Sequence, residues 1–220
     1  MRTILCVVIA ALLFSACSTS SPRETMQRDV DQAAAIIERF QAIPEQGIPS
    51  SVLRNARGLA ILTVTKAGFI GSGRAGSGVV IARLPGGGWS GPSAIGTGGL
   101  GVGFQAGVQI TEFVIVLNTP AAVDAFSRGG NVTLGGNLSV AAGPIGRSAE
   151  GNVALQAAMF SYSRSQGLFA GVSLEGTVIT TRDDLNRDFY GSNVTSTDIL
   201  TGRVRPPAGA QRLISAVTKY

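Results

Sequence analysis

Three groupings of residues in this sequence have the types and spacing to do chemistry. Two runs match Gly-x-Gly-x-x-Gly, namely Gly71, Gly73, Gly76 and Gly96, Gly98, Gly101, the spacing of loops whose backbone amides cradle a pyrophosphate. Asp183-Asp184 is the one adjacent carboxylate pair, the raw material of acid/base hydrolysis. The third grouping is Arg54, Arg57, Lys66, Arg74 and Arg83, which fall between Gln46 and Thr111 with no acidic residue among them. Such a one-sign stretch is suited to phosphate groups on a lipid surface or a nucleic acid.

Most of these options fail on context. A dinucleotide site needs a helix to begin at the glycines, so that its first amides meet the phosphates. Here each run leads into a strand pattern, Val79 to Leu84 or Leu100 to Ile110. The carboxylate pair opens a helical segment, where acidic side chains stabilise exposed amides. The chain has no histidine and two cysteines, Cys6 and Cys17, which removes Ser-His-Asp and Cys-His catalysis and most transition-metal sites. No cofactor is expected. Nucleic acid is not an expected partner either, because aromatic residues make up 6% of the chain and do not interleave with the basic ones. An enzymatic alternative rests on Glu112 or Glu175 held on a strand beside a cation.

The cysteines read as an address. Arg2 precedes an apolar run from Ile4 to Phe14, too short at eleven residues to cross a bilayer. Ser15-Ala16-Cys17 then resembles a lipoprotein lipobox, with Phe14 where that motif usually has Leu. Residues 1–16 are expected to be a signal peptide and Cys17 the lipid anchor, with residues 17–23 as a tether. Acyl chains contribute about 0.8 kcal/mol per buried methylene, enough for stable anchoring when two or more are attached. Ser18 after the cysteine suggests sorting to the outer membrane, facing the periplasm of a bacterial envelope.

The elements that must position the cations follow from hydrophobic period and punctuation. Glu24 to Gln41 is predicted helical, with Met26, Val30, Ala33, Ile37 and Phe40 on one face. A short helix is expected over Ile48 to Arg57 and a buried strand over Leu59 to Thr65. Strands are also expected over Val79 to Leu84, Phe113 to Leu117, Val132 to Ala142, Ala154 to Arg164 and Leu168 to Ile179. Leu100 to Ile110 alternates strictly and reads as one strand, with Leu100, Val102, Phe104, Ala106, Val108 and Ile110 on one side. Its other side is nearly bare, at Gly101, Gly103, Gln105, Gly107 and Gln109, so a helix, a second sheet or a ligand can approach closely. Thr119, Pro120 and Gly129 punctuate a helix. Thr181 with Asp184, and Thr195 with Asp198, read as capping boxes, and Pro206-Pro207 precede a final helix. Charged residues are 14% and apolar ones 45% of the chain, at a formal net charge of +5. The fold class expected is α+β: a curved antiparallel sheet or barrel-like core of about six to nine strands, flanked by N- and C-terminal helices, as a single domain over 24–220.

The order of short motifs is more specific than any one of them. Ile48-Pro49, Ala56-Arg57-Gly58-Leu59-Ala60-Ile61, Lys66-Ala67-Gly68-Phe69, Trp89-Ser90-Gly91-Pro92, Gly143-Pro144-Ile145-Gly146-Arg147, Tyr162 to Gly176, Phe189-Tyr190-Gly191 and Asp198-Ile199-Leu200-Thr201-Gly202 occur in that sequence. Together they resemble the SYLF domain family, over roughly Ala33 to Tyr220. The resemblance implies a lipid-binding module, and the residues themselves point to a non-enzymatic one. Eukaryotic members bind phosphoinositides and yeast ones also bind actin filaments, partners not expected at a bacterial envelope. What transfers is affinity for anionic head groups such as phosphatidylglycerol, cardiolipin or lipid A phosphates; the contact candidates Arg54, Arg57, Lys66, Arg74 and Arg83 come from the one-sign charge of their stretch. The alternative is a structural or protein-interaction lipoprotein of the outer membrane.

Overall fold

The computed structural model describes residues 20–42, 47–68, 71–102, 107–134, 139–143, 157–167 and 177–220. Helix α1 spans Pro22–Gln41, with Ser21 as its N-cap. The Ser21 hydroxyl accepts from the Glu24 amide and the Glu24 carboxylate accepts from the Ser21 amide, a complete capping box. Its buried face includes Ala34 and Ile36 besides the predicted stripe, because α1 packs on the sheet and is covered by helices on its other side. Helix α2 is Ser50–Asn55.

Two hairpin-like strands follow, β1 at Gly58–Gly68 and β2 at Gly71–Ala82, then β3 at Ser93–Val102 and β4 at Gly107–Leu117. Helix α3 is Pro120–Ser127, capped by the Thr119 hydroxyl and followed by Gly129 at a positive φ of 74°, as its punctuation predicts. Strands β5 (Asn131–Thr133), β6 (Val140–Ala142), β7 (Met159–Gly167) and β8 (Val178–Thr181) complete the described sheet. Helices α4 (Asp183–Tyr190) and α5 (Ser196–Leu200), a short 3-10 turn at Ala208–Ala210 and helix α6 (Gln211–Thr218) close the chain. Every described element lies between Pro22 and Thr218, so a chain beginning at Ser18 keeps them all.

The described strands form one curled, eight-stranded sheet in the order β5-β8-β3-β2-β1-β4-β7-β6. It is antiparallel except for β6, which runs parallel to β7. The architecture is the expected α+β, with helices at both ends of the chain. Three local expectations are corrected. The expected strand Val132 to Ala142 is instead β5 and β6, which lie at opposite edges of the sheet; of the expected strand Leu168 to Ile179, residues 168–176 lie outside the described residues. The alternation from Leu100 to Ile110 belongs to two strands, β3 and β4, which lie on opposite sides of the β1–β2 pair. Period-two patterning continues across the break because both strand ends carry it. Helix α4 starts after Arg182, without a side-chain cap from Thr181, and Asp184 is engaged by Arg182 instead, at 2.8 and 3.0 Å. Thr195 with Asp198 does form a capping box.

The sheet has a core on each face. One joins Leu59, Ile61, Val79, Ile81, Val114 and Val116 to Met26, Ile37 and Phe40 of α1 and to Leu213 and Val217 of α6. The other joins Leu62, Val80, Phe113 and Ile115 to Phe126 of α3 and Leu200 of α5. We call these the α1 face and the α3 face.

Candidate functional site

The five basic candidates do not form one patch. Arg54 and Arg57 are exposed near the start of β1, and Arg83 lies beyond the end of β2 beside them. Arg83 is used inside the fold: its Nε donates to the Ala56 carbonyl at 3.1 Å and its Nη2 to that of Leu53 at 3.2 Å. These are the last carbonyls of α2, which favour a cation. The guanidinium also lies 4.4 Å from the centre of the Trp89 ring. Burial and the nearby Arg57 lower its pKa below the usual arginine value. Arg83 therefore holds α2 against the sheet.

Lys66 and Arg74 sit at the other end of the strands. They are directly opposite in the β1–β2 ladder and share the α3 face, with Gln109 next to Lys66 on β4 and Gly99 next to Arg74 on β3. The bare glycine side foreseen in the sequence has a tenant here. A Cβ placed on Gly99 would lie 2.9 Å from Arg74 Nε, so the arginine side chain crosses the space the glycine leaves. Gly101 continues this face, Gly103 lies outside the described residues, and so do Cys17 and Glu175.

On the α1 face, α1 lies across one row of the sheet: Glu112, Thr63, Ser77 and Gly96. Each side of that row is fastened to polar groups. Glu112, 7% exposed, accepts from Arg39 at 2.5 and 3.1 Å and from Gln32 at 3.5 Å. This carboxylate binds helix to sheet. Ser77 donates to Asp29 at 2.8 Å, while Asp29 Oδ2 and the Thr63 hydroxyl are buried without a protein partner. They line a cavity of about 100 Å³ with Gln32, Ile36 and Ile61, polar and roomy enough for water. Burial raises the Asp29 pKa above the ordinary carboxylate value.

Arg164 on β7 stands opposite Glu112, which puts it on the α1 face at one end of this row, and it is exposed. Arg182 marks the other end, its side chain 3.6 Å from a Cβ placed on Gly96. Neither was among the sequence candidates. Arg164 lies within the quoted Tyr162 to Gly176 motif, yet only the β4–β7 register shows that it stands on the α1 face, three residues along the strands from the Lys66–Arg74 pair on the other face. Among the described residues, Arg74 and Arg164 form no ion pair, whereas Arg182 is paired with Asp184.

Against known proteins, the family model described as "Ysc84: Las17-binding protein actin regulator" matches residues 98–220. The chain belongs to the Ysc84, or SYLF, family. It is 50% identical over 202 residues to the human SH3 domain-containing YSC84-like protein 1, covering 89% of this chain and 59% of that protein. It is 55% identical over 173 residues to LAS seventeen-binding protein 3 of Saccharomyces cerevisiae, covering 77% of this chain and 38% of the yeast protein. A Schizosaccharomyces pombe relative, SH3 domain-containing protein PJ696.02, is 56% identical over 173 residues, 40% of its length. The chain thus spans less than two thirds of the length of each of these relatives. No helix among the described residues is long and apolar enough to cross a membrane.

Proposed function

We propose that this SYLF domain is a non-enzymatic module that binds anionic lipid head groups, tethered through an acylated Cys17 to the outer membrane of a bacterial envelope. The observation that carries the reading is the pair of cations, Lys66 and Arg74, opposite each other near the ends of β1 and β2 on the α3 face, with Arg164 on the α1 face three residues nearer the middle of the sheet. Among the described residues, the carboxylate opposite Arg164 in the ladder is Glu112, already held by Arg39 and Gln32. Cations arranged this way attract a negative bilayer surface, each contributing about 1 kcal/mol close to it. Arg54 and Arg57 lie at the opposite end of β1 and have no part in this contact, and Arg83 is committed to α2.

Co-sedimentation of the chain beginning at Ser18 with vesicles tests the reading. Binding to phosphatidylglycerol-containing vesicles at low salt, weakened by salt and absent with phosphatidylcholine alone, is the expected result. Equal binding to both would exclude it. Mass spectrometry of the protein purified from its membrane tests the anchor, through the mass added at Cys17.

A second reading, a module that binds another protein, is favoured by the name of one relative. LAS seventeen-binding protein 3 is named for a protein partner. Since this chain matches 38% of that relative, its partner is not assigned to the shared part. Failure to bind any vesicle, together with a stable complex isolated from the envelope, would favour this reading.

A further inference from the structure

Three large hydrophobic side chains are exposed among the described residues: Val108 at 58%, Ile110 at 45% and Val178 at 37%. Strand register puts all three on one face of the sheet, Ile110 and Val178 at the two ends of a row that crosses five strands. Ile110 lies opposite Thr65, which lies opposite Ala75, which lies opposite Gly98. Val178 is one residue beyond the Thr97–Ile179 pair and so continues that row on β8. Val108, Ala67 and Gly73 form the next row toward the strand ends. Both rows are on the α1 face, outside the part that α1 covers. They contain no charged residue and present small side chains between the valines and the isoleucine. A Cβ on Gly73 would meet open space, and one on Gly98 only the Arg74 carbonyl at 3.9 Å, so the strip is flat and uncovered. An exposed contiguous apolar patch with a polar rim marks an interaction surface.

We infer that this strip is the part of the domain that enters the hydrocarbon of the bilayer, with Arg164 of the row behind it at the level of the lipid phosphates. The inference rests on the lipid-binding reading and adds to it an orientation and a set of inserting residues. A strand rises about 3.4 Å per residue, so the Ile110 and Val178 row lies about 7 Å beyond the Arg164–Glu112 row, and Val108 about 14 Å beyond it. Interfacial elements bury their apolar face by about 5–10 Å. The Ile110 row therefore reaches acyl chains while Arg164 stays among head groups, where its long stem can lie along apolar surface with the charge in water. Lys66 and Arg74, on the reverse face, lie about 10 Å beyond the Arg164 row, between the Ile110 and Val108 rows, so their long stems run along apolar surface to bring their charges to the phosphates.

A second copy of the chain is the other occupant of comparable chemistry, and charge argues against it. Two strips pressed together would bring Arg164 of each copy into one interface, and Arg74 of each close behind, with no uncompensated carboxylate among the described residues nearby. An anionic bilayer offers hydrocarbon and negative charge together.

The test uses the chain from Ser18, which has no cysteine, with a single cysteine introduced as Val108→Cys, Val178→Cys or, as a control, Gly86→Cys. Gly86 is in the exposed turn after β2, at the opposite end of the strands. Each is labelled with an environment-sensitive fluorophore and mixed with vesicles of phosphatidylglycerol and phosphatidylcholine carrying acyl-chain nitroxides. Blue-shifted, quenched emission from positions 108 and 178, with none from 86, is the expected result. Salt-sensitive binding without a shift at 108 or 178 overturns insertion and leaves the lipid-surface reading standing. A shift at 108 that grows with protein concentration in the absence of vesicles overturns it in favour of self-association. No binding to anionic vesicles defeats both readings. As a label-free check, Val108→Ser with Ile110→Ser lowers partition into anionic vesicles about tenfold or more, and the loss persists at high salt because it removes apolar contact. An unchanged partition of that variant overturns the inference.

Discussion

Arg74→Glu is the sharpest test of where the domain meets lipid. Arg74 lies opposite Lys66 on the α3 face and is partly exposed. The substitution removes one positive charge and adds a negative one. At about 1 kcal/mol per charge near an anionic surface, the change is about 2 kcal/mol, or about 30-fold in vesicle affinity at low salt. The fold should tolerate it, since like charges directly opposite in a ladder are destabilising and the introduced carboxylate would give Lys66 an opposite charge across the ladder. Arg57→Glu makes the same change in net charge at the other end of β1. From Gly58 to Lys66 the strand rise gives roughly 26 Å, more than two screening lengths at about 0.1 M salt. Arg57→Glu should therefore weaken binding by about twofold at most. Flotation with phosphatidylglycerol vesicles over a salt series measures both, and near 1 M salt the two variants should converge on the parent. Equal losses from the two variants would mean that net charge, not placement, governs binding, and the strand-end site would be refuted.

Four further substitutions test what holds this surface in shape. Gly78→Ala places a Cβ against the Ile61 carbonyl and 2.6 Å from Leu62 Cα, and should cost about 3 kcal/mol in urea unfolding. Gly73→Ala, in open space, should change stability by less than about 1 kcal/mol. Glu112→Ala leaves Arg39 without its partner and should lower stability by about 2 kcal/mol, which thermal unfolding would read as about 4–8 °C. Asp29→Asn should raise the melting temperature at neutral pH. A carboxyl with a raised folded pKa disfavours the folded state above that pKa, and this cost vanishes as pH falls toward the unfolded value of 3.8. The gap between variant and parent should therefore close on acidification, and a gap that widened would contradict the assignment.

Much of the fold could be read from residue types because the local signals are strong. Ser21 with Glu24, Thr119 with Pro120 and Gly129, and Thr195 with Asp198 place helix ends by their own hydrogen bonds. The continuous apolar run at Phe113 to Leu117 reads as a doubly covered strand, and β4 is buried on both faces there. The glycine fingerprints lie within β2 and β3, as the missing helix implied.

The candidate site was less legible. Alternation shows which residues share a face but not whether anything covers it. Val108 and Ile110 therefore read as the greasy side of a strand, yet α1 ends its cover at the Glu112–Ser77 row and leaves them exposed. Spacing along the chain also grouped Arg54, Arg57 and Arg83 with Lys66 and Arg74. A strand separates them by its own length, and Arg83 is drawn to the carbonyls ending α2 by chemistry that charge counting cannot see. Arg164 joins the group through a ladder to β4 that links residues far apart in sequence.

The chain offers a direct measurement of its membrane-facing end, because its two lysines, Lys66 and Lys219, report on different places. Lys66 is at the strand end, while Lys219 is exposed just after α6 in the helical layer. Amine acetylation followed by mass spectrometry, with and without phosphatidylglycerol vesicles, gives the rate at each. Slower modification of Lys66 on binding, with Lys219 unchanged, is what the strand-end account predicts. Protection of Lys219 with Lys66 unaffected, in protein shown to be vesicle-bound, would contradict it.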